Sequence, residues 1–271
     1  MTLVSTEWLS KNLNKVKIID ASWHLAKNRN AIKEYKKEHI KNAIFFNLDK
    51  NSNQTEGLPH GHYLPAAKTH KKAVSKMGIL NTDQIIIYCY SDLISSCRAW
   101  FQFIYFGHDP KLVSVLNGGM KKWKLENRKV TNTKTDIKPS IYNVIEAKKM
   151  VKEKSQIEEN IKLKKFKVLD ARSKNRFLGI EAEPRSGIKR GSIEGSSCLP
   201  LSELINHYDN TFLDEDKLEE KFNKIGIKSN ETVMSCGSSV SASSLALAYS
   251  LINDDYYPKI YIGSWTEYGK K

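Results

Sequence analysis

The stretch VMSCGSSVSASSLALAYSLI, Val233 to Ile252, places one cysteine where a short apolar run stops and a long run of small and apolar residues starts. The first run predicts a strand and the second a helix. A helix N-terminus carries unpaired N–H groups and about half a positive charge, which favours a thiolate over a thiol. Gly237, Ser238 and Ser239 are small enough for successive amides to turn inward as a nest around the sulfur. A helix starting near Val240 adds its positive end. Cys236 is therefore a candidate nucleophile, and Gly237, Ser239 and Val240 are candidate contacts for a bound anion. The alternative for the same neighbourhood is a small apolar residue closing a central strand.

The basic residues point to the same kind of ligand. Seven of the 44 are arginine, and four of those seven (Arg172, Arg176, Arg185 and Arg190) fall within one short segment. Arginine holds a carboxylate or other oxyanion through two parallel hydrogen bonds. The lysines are scattered along the chain, so the net charge of +14 forms no single stripe. A small anionic molecule is the expected partner, and nucleic acid is not. A phosphatase of the Cys-x5-Arg type needs an arginine six residues after its cysteine, where this chain has Ala242.

Four blocks recur in order and predict the frame for these residues. VKIIDASW echoes FKVLDARS, EHIKNAIFFNL echoes GSIEGSSCLPL, MGILNTDQIIIYCYSDL echoes IGIKSNETVMSCGSSV, and LVSVLNGGMKKW echoes KIYIGSWTEY. The offsets are 150, 153, 147 and 145, and they match Asp20 with Asp170 and Cys89 with Cys236. Two copies of one domain are expected, over 1–130 and 141–271, joined by a polar linker near 126–140. Strands near 16–20, 43–46, 84–89 and 112–116 alternate with helices near 31–39, 66–77 and 94–106. The second copy gives strands near 166–170, 197–199, 231–235 and 259–262, and helices near 147–163, 214–225 and 240–253. This alternation predicts the α/β class, with each domain a mainly parallel sheet covered by helices on both faces. Ligands bind such sheets beyond the carboxyl ends of the strands, where Cys89 and Cys236 fall.

The composition, 40 % apolar and 27 % charged over 271 residues, suits two globular domains. No apolar run is long enough to cross a bilayer, and the first twenty residues lack a basic segment followed by an apolar core. The expectation is no membrane partner and a cytoplasmic location. Cys89, Cys97, Cys198 and Cys236 are far apart and form no C-x-x-C pair, which argues against a disulfide framework and a metal site.

Two tandem α/β repeats with the reactive cysteine in the second loop resemble the two-domain sulfurtransferases of the rhodanese superfamily, over nearly the whole chain. The loop Cys236-Gly237-Ser238-Ser239-Val240-Ser241-Ala242 is similar to the C-G-S-G-V-T-A loop of the 3-mercaptopyruvate branch and unlike the C-R-K-G-V-T-A loop of the thiosulfate branch. YIGSWTEYG resembles the G-S-W-x-E-W-G ending of that branch. DARSKNRFLGIEAEPRSG resembles its D-A-R-x-x-x-R-F-x-G-x-x-x-E-P-R segment, which carries substrate-binding roles onto Arg176 and Arg185 and leaves Arg172 and Arg190 structural or at the rim. FFNLDKNSNQTEGLPHGHYLP resembles its F-D-I-D … D-H-M-L-P segment, which carries a relay of Asp49, His62 and Ser238 onto the chain.

The resemblance implies sulfur transfer from 3-mercaptopyruvate through a Cys236 persulfide to a thiol acceptor, such as a thioredoxin-like protein, or to cyanide. It implies no cofactor and a degenerate, non-catalytic loop at Cys89. The alternatives are a thiosulfate:cyanide sulfurtransferase and a catalytically silent binding module. The chain departs from the pattern at Ser239, which replaces a loop glycine and is strained if that position needs a positive φ. It departs again at Gly61, where the branch has an aspartate, and at Ser192 and Glu194.

Overall fold

The computed structural model describes residues 2–25, 28–53, 55, 57–91 and 94–271. The chain divides into two compact units. The first comprises Met1–Asn53, Leu64–Ala147 and Asn206–Thr211, and the second Gln54–Tyr63, Lys148–Ile205 and Phe212–Lys271.

In the first unit the elements follow as β1 (Leu3–Val4), α1 (Thr6–Asn12), β2 (Lys17–Asp20), α2 (Ala31–Lys37), β3 (Ala43–Phe45), α3 (Ala67–Lys76), β4 (Ile85–Tyr88), α4 (Ser96–Tyr105), β5 (Val113–Leu116) and α5 (Gly119–Leu125). The sheet is parallel in the order β1-β5-β4-β2-β3, with Asp20 level with Tyr88. β4 reads Ile-Ile-Ile-Tyr and is buried throughout, as expected of a central parallel strand covered on both faces. Ile86 and Tyr88 pack with Leu9 of α1 and with Met120 and Trp123 of α5. The pleat turns Ile85 and Ile87 the other way, and α4 lies against β4 and β5.

The second unit repeats this plan with β6 (Val151–Lys152), α6 (Lys154–Leu163), β7 (Lys167–Asp170), α7 (Lys174–Phe177), β8 (Ser197–Cys198), α8 (Glu215–Lys224), β9 (Thr232–Ser235), α9 (Val240–Leu251), β10 (Ile260–Tyr261) and α10 (Ser264–Tyr268). Its sheet is parallel in the order β6-β10-β9-β7-β8, with Asp170 level with Ser235. Matching strands take matching places in the two sheets, so the sequence repeat is a repeat of fold. Cys89 follows β4, and Cys236 follows β9.

The structure departs from the sequence reading in several elements. The helix expected over 147–163 starts at Lys154, because Val151 and Lys152 pair with β10 as an edge strand. Glu153 caps α6 reciprocally with Gln156. The helix expected from Ile94 starts at Ser96, since Ile94 has φ +47°. The short elements β1, α1, α5, α7 and α10 were not expected. The polar segment over 126–140 is held along the first unit: Thr131 bridges to His39, and Thr135 donates to the Ala43 carbonyl at 2.7 Å.

Candidate active site

Cys236 is 2 % exposed and follows β9 directly. Ser239, the last residue before α9, has φ +64°, so the serine does occupy the left-handed region. The short helix α10 fixes this loop. From α10, the Ser264 hydroxyl accepts the amides of Cys236 at 3.3 Å and Ser239 at 3.2 Å, and donates to the Tyr261 carbonyl at 2.9 Å. The Trp265 amide donates to the Cys236 carbonyl at 2.9 Å and the Thr266 amide to the Gly237 carbonyl at 3.0 Å. The Ser239 amide is thus used inside the protein and does not join a nest, which corrects the sequence reading. The amides of Gly237, Ser238 and Val240 have no partner among the described residues.

The arginine segment lies over this loop. A Cβ added at Gly237 would lie 3.2 Å from Arg176 Nη2, a tight contact, and 3.9 Å from Arg185 Nη1, an ordinary one, so both guanidinium groups lie close above this residue. Arg176 is held by Glu183, with Nη2 donating at 2.5 Å and Nε at 3.3 Å. Glu183 also accepts from Arg172 at 2.7 Å. Arg172 is buried, grips Asp170 at 2.7 and 2.9 Å, and lies over the Trp265 ring. The ladder Asp170–Arg172–Glu183–Arg176 is therefore charge-balanced, and it supports Arg176 from below. No carboxylate among the described residues pairs with Arg185. Burial, and Arg176 beside it, pull the Arg185 guanidinium below its ordinary pKa, with the Cys236 sulfur acting against them. Arg190 is exposed and donates to the Ile180 carbonyl, in keeping with a structural place.

Arg185 Nη2 donates to Ser238 Oγ at 3.2 Å, and His62 Nδ1 lies 3.0 Å from the same oxygen. A guanidinium only donates, so the hydroxyl accepts there and can pass its own proton to Nδ1 when His62 carries hydrogen on Nε2. His62 is 2 % exposed. The structure thus brings together Cys236, Gly237, Ser238, Ser239, Val240, Arg176, Arg185 and His62. Asp49 belongs to the first unit, where it accepts from the Trp23 indole at 2.9 Å.

Sequence reasoning gave no role to Glu183, Ser264 or His60. Glu183 and Ser264 stood inside the motifs, one before Pro184-Arg185 and the other between Gly263 and Trp265, so the signal was present without its geometry. Among the described residues, no cluster of histidine, cysteine and carboxylate side chains is arranged to hold a metal ion.

Comparisons with known proteins agree with this architecture. The model of the Rhodanese-like domain matches residues 5–126 and again 153–271. The 3-mercaptopyruvate sulfurtransferase of Mus musculus is 34 % identical, over 98 % of this chain and 91 % of its own length. The mitochondrial thiosulfate/3-mercaptopyruvate sulfurtransferase 1 of Arabidopsis thaliana is 33 % identical, over 98 % of this chain and 75 % of its own. The crystal structure of SseA from Escherichia coli, described as showing the rhodanese fold and catalytic mechanism of 3-mercaptopyruvate sulfotransferases, superposes with a TM-score of 0.85 at 28 % identity, over 98 % of this chain and 99 % of that one. With the repeated sheet, the cysteine loop and a domain model matched twice, the chain belongs to the rhodanese family.

Proposed function

We propose that this chain is a sulfurtransferase that draws sulfur from 3-mercaptopyruvate, with Cys236 as the sulfur carrier. The observation that carries the reading is the placement of two arginines over Gly237, one of them bonded to the Ser238 hydroxyl that also meets His62. Arg185 and Arg176 hold the carboxylate and ketone of the donor and set its sulfur in line with the Cys236 thiolate. The thiolate attacks that sulfur, the C–S bond breaks, and its electron pair leaves on carbon as pyruvate enolate. Cys236 is left as a persulfide. The amides of Gly237, Ser238 and Val240 stabilise the negative charge that passes through the loop. Ser238, with His62 behind it, supplies the proton that turns the enolate into pyruvate. An acceptor thiolate then attacks the outer sulfur, taking it as a new persulfide and releasing the Cys236 thiolate.

The acceptor is proposed to be a small thiol or a thioredoxin-like protein, and the first domain is proposed to be non-catalytic. A reducing compartment such as the cytoplasm suits a chain whose four cysteines form no disulfide. No helix among the described residues is long and apolar enough to cross a membrane.

Thiosulfate is the second donor to weigh, because one relative's name includes both donors. Positions 237 and 238 carry no charge of their own, but the arginines above Gly237 bring positive charge to the loop. The test compares pyruvate release from mercaptopyruvate with thiocyanate formation from thiosulfate and cyanide. The expected result is much faster use of mercaptopyruvate, with cyanide-labile sulfur on Cys236 after donor treatment. Equal turnover of thiosulfate would move the assignment to the other branch, and no labile sulfur with either donor would leave a binding module.

A further inference from the structure

Among the described residues His62 is held at three points, and one of these belongs to the relay proposed above. Its ring meets Ser238. Its carbonyl accepts from the Ser239 hydroxyl at 3.3 Å, and its amide donates to His60 Nδ1 at 2.9 Å. That last bond copies an Asx turn, in which a side-chain acceptor takes the amide two residues ahead. It requires the His60 Nδ1 lone pair to carry no proton. His60 is 6 % exposed and stacks on Tyr63, with ring centroids 4.2 Å apart and planes 13° apart. Tyr63 in turn donates its hydroxyl to Glu267 Oε1 at 2.8 Å, while Tyr261 donates to Oε2 at 2.7 Å. The carboxylate has room because residue 263 is glycine: an added Cβ there would lie 2.0 Å from Glu267 Oε2.

Glu267 sits on α10, the same short helix whose Ser264, Trp265 and Thr266 fix the thiol loop. One rigid turn therefore grips Cys236 at its start and, through Tyr63 and His60, the backbone of His62 at its end. We infer that His60 and Tyr63, anchored on Glu267, are positioning residues that set the His62 imidazole against Ser238 in register with Cys236. The inference rests on the relay reading for its kinetic consequence, but not for its structural one. None of the three touches the reacting atoms, so their loss acts through His62: proton delivery suffers while donor binding by the arginines does not.

The test uses the full chain with four forms: wild type, His60→Phe, His60→Asn and Tyr63→Phe. Phenylalanine keeps the stack on Tyr63 and loses the acceptor. Asparagine restores an acceptor for the amide of residue 62. Tyr63→Phe keeps the stack and cuts the bond to Glu267. The expected result for His60→Phe and Tyr63→Phe is a fall in kcat for pyruvate release of about tenfold, as for a displaced proton donor. KM for mercaptopyruvate should move less than about twofold, since the binding arginines are untouched. His60→Asn should recover most of kcat. In 15N-histidine spectra the His62 ring signals should shift in the two phenylalanine variants and return in His60→Asn. Unchanged kcat and unchanged His62 signals in both phenylalanine variants would overturn the inference. So would losses in KM alone, or a His60→Asn variant no better than His60→Phe. If His60→Phe does not fold, the kcat and His62 signals of Tyr63→Phe decide between the same two outcomes. If wild type releases no pyruvate, the proposed reaction fails while the His62 spectra still decide the positioning.

Discussion

Cys89 and Cys236 close equivalent strands in two sheets of the same order, and both carbonyls accept an amide from the following short helix: Met120 at 3.0 Å in one unit, Trp265 at 2.9 Å in the other. Around that shared frame the fillings differ. The residue facing the loop is Ser264 in the second unit and Gly119 in the first, both at positive φ. Ser264 supplies a hydroxyl that gathers two loop amides. At Gly119 even a Cβ would lie 2.4 Å from the Cys89 carbonyl, so no hydroxyl fits. Arg172, which starts the charge ladder of the second unit, is matched by Ser22 in the first. Without that arginine, Asp20 is a buried carboxyl whose pKa burial raises, although Ser22 and Tyr88 hydrogen-bond to it. Arg29 reaches the first loop, bound to Glu34 at 2.7 and 2.9 Å and to the Tyr90 carbonyl at 3.0 Å, so it braces the backbone there. Burial pushes the Cys89 thiol up. Asp92, expected to raise it further, lies outside the described residues. One fold therefore carries two loops, and side chains at matched places (Ser264 against Gly119, Arg172 against Ser22) set their surroundings apart.

The largest expected effect breaks the pair apart. Cys236→Ser should abolish transfer, by about four orders of magnitude or more, because an oxygen cannot carry the second sulfur as a persulfide. Its melting curve should match wild type. Cys89→Ser should keep kcat/KM within about twofold. Steady-state pyruvate release measures both, and mass spectrometry after donor treatment checks that added sulfur sits on Cys236. Comparable persulfide on Cys89 would overturn the division of labour between the domains.

Next comes Ser264→Gly, which gives the second loop the residue of the first. Two buried amides lose their acceptor at about 1 kcal/mol each or more, so kcat/KM should fall roughly 30- to 100-fold. Glycine also relieves the serine's φ of +50°, which offsets part of that loss, so the melting temperature should fall by only a few degrees. A large loss of stability with unchanged kinetics would place the hydroxyl in folding and not in shaping the site.

How much of this the sequence disclosed depends on the range of the signal. The repeated parallel sheet was readable because four blocks recur at nearly constant offset, and each contains a strand whose apolar residues have few other places to go; the order of the strands was not. The cysteine loop was readable because small residues, a helix start and a lone thiol are consecutive. Edge strands were not: β1 and β6 are two residues each and owe their pairing to a neighbour more than a hundred residues away. The same limit applied at the site. Arg176 was visible as an arginine, but its neutralisation by Glu183 depends on a fold-back of seven residues. His60 was one of two histidines flanking Gly61, and only the hydrogen bond from the His62 amide distinguishes it.

The two arginines sharpen the contrast within the second loop. Glu183 compensates Arg176, whereas Arg185 faces the loop without a carboxylate among the described residues. Arg185→Lys keeps the charge and loses the fork, and charge-assisted hydrogen bonds are worth about 1.5–3 kcal/mol, so kcat/KM for mercaptopyruvate should drop tenfold or more. Arg176→Lys should cost about threefold, because Glu183 already takes two of the guanidinium's hydrogen bonds and most of its charge. Initial rates over a range of donor concentration separate the two, and the reverse ranking would assign carboxylate recognition to Arg176.

The smallest effect concerns a residue that each loop holds at positive φ: Ile94 at +47° and Ser239 at +64°. For a residue with a Cβ the left-handed region costs roughly 1–2 kcal/mol. Ser239→Gly removes that cost, gives back about 0.5–1 kcal/mol in unfolded-chain entropy, and loses the hydroxyl that reaches the His62 carbonyl. These terms nearly cancel, so stability should change by less than about 1 kcal/mol, a shift of about 2–4 °C at most. The lost contact loosens His62, and kcat should fall by about two- to threefold. Ile94→Gly removes the same kind of strain but also a side chain 6 % exposed, and deleting a buried isoleucine costs about 2 kcal/mol or more. It should be clearly destabilising and leave kcat unchanged in the folded fraction. Thermal melts with initial rates on both variants separate the two cases. In the first loop the strained residue is retained for its apolar bulk, in the second for the turn it makes beneath the thiol. A Ser239→Gly variant as unstable as Ile94→Gly would refute that distinction.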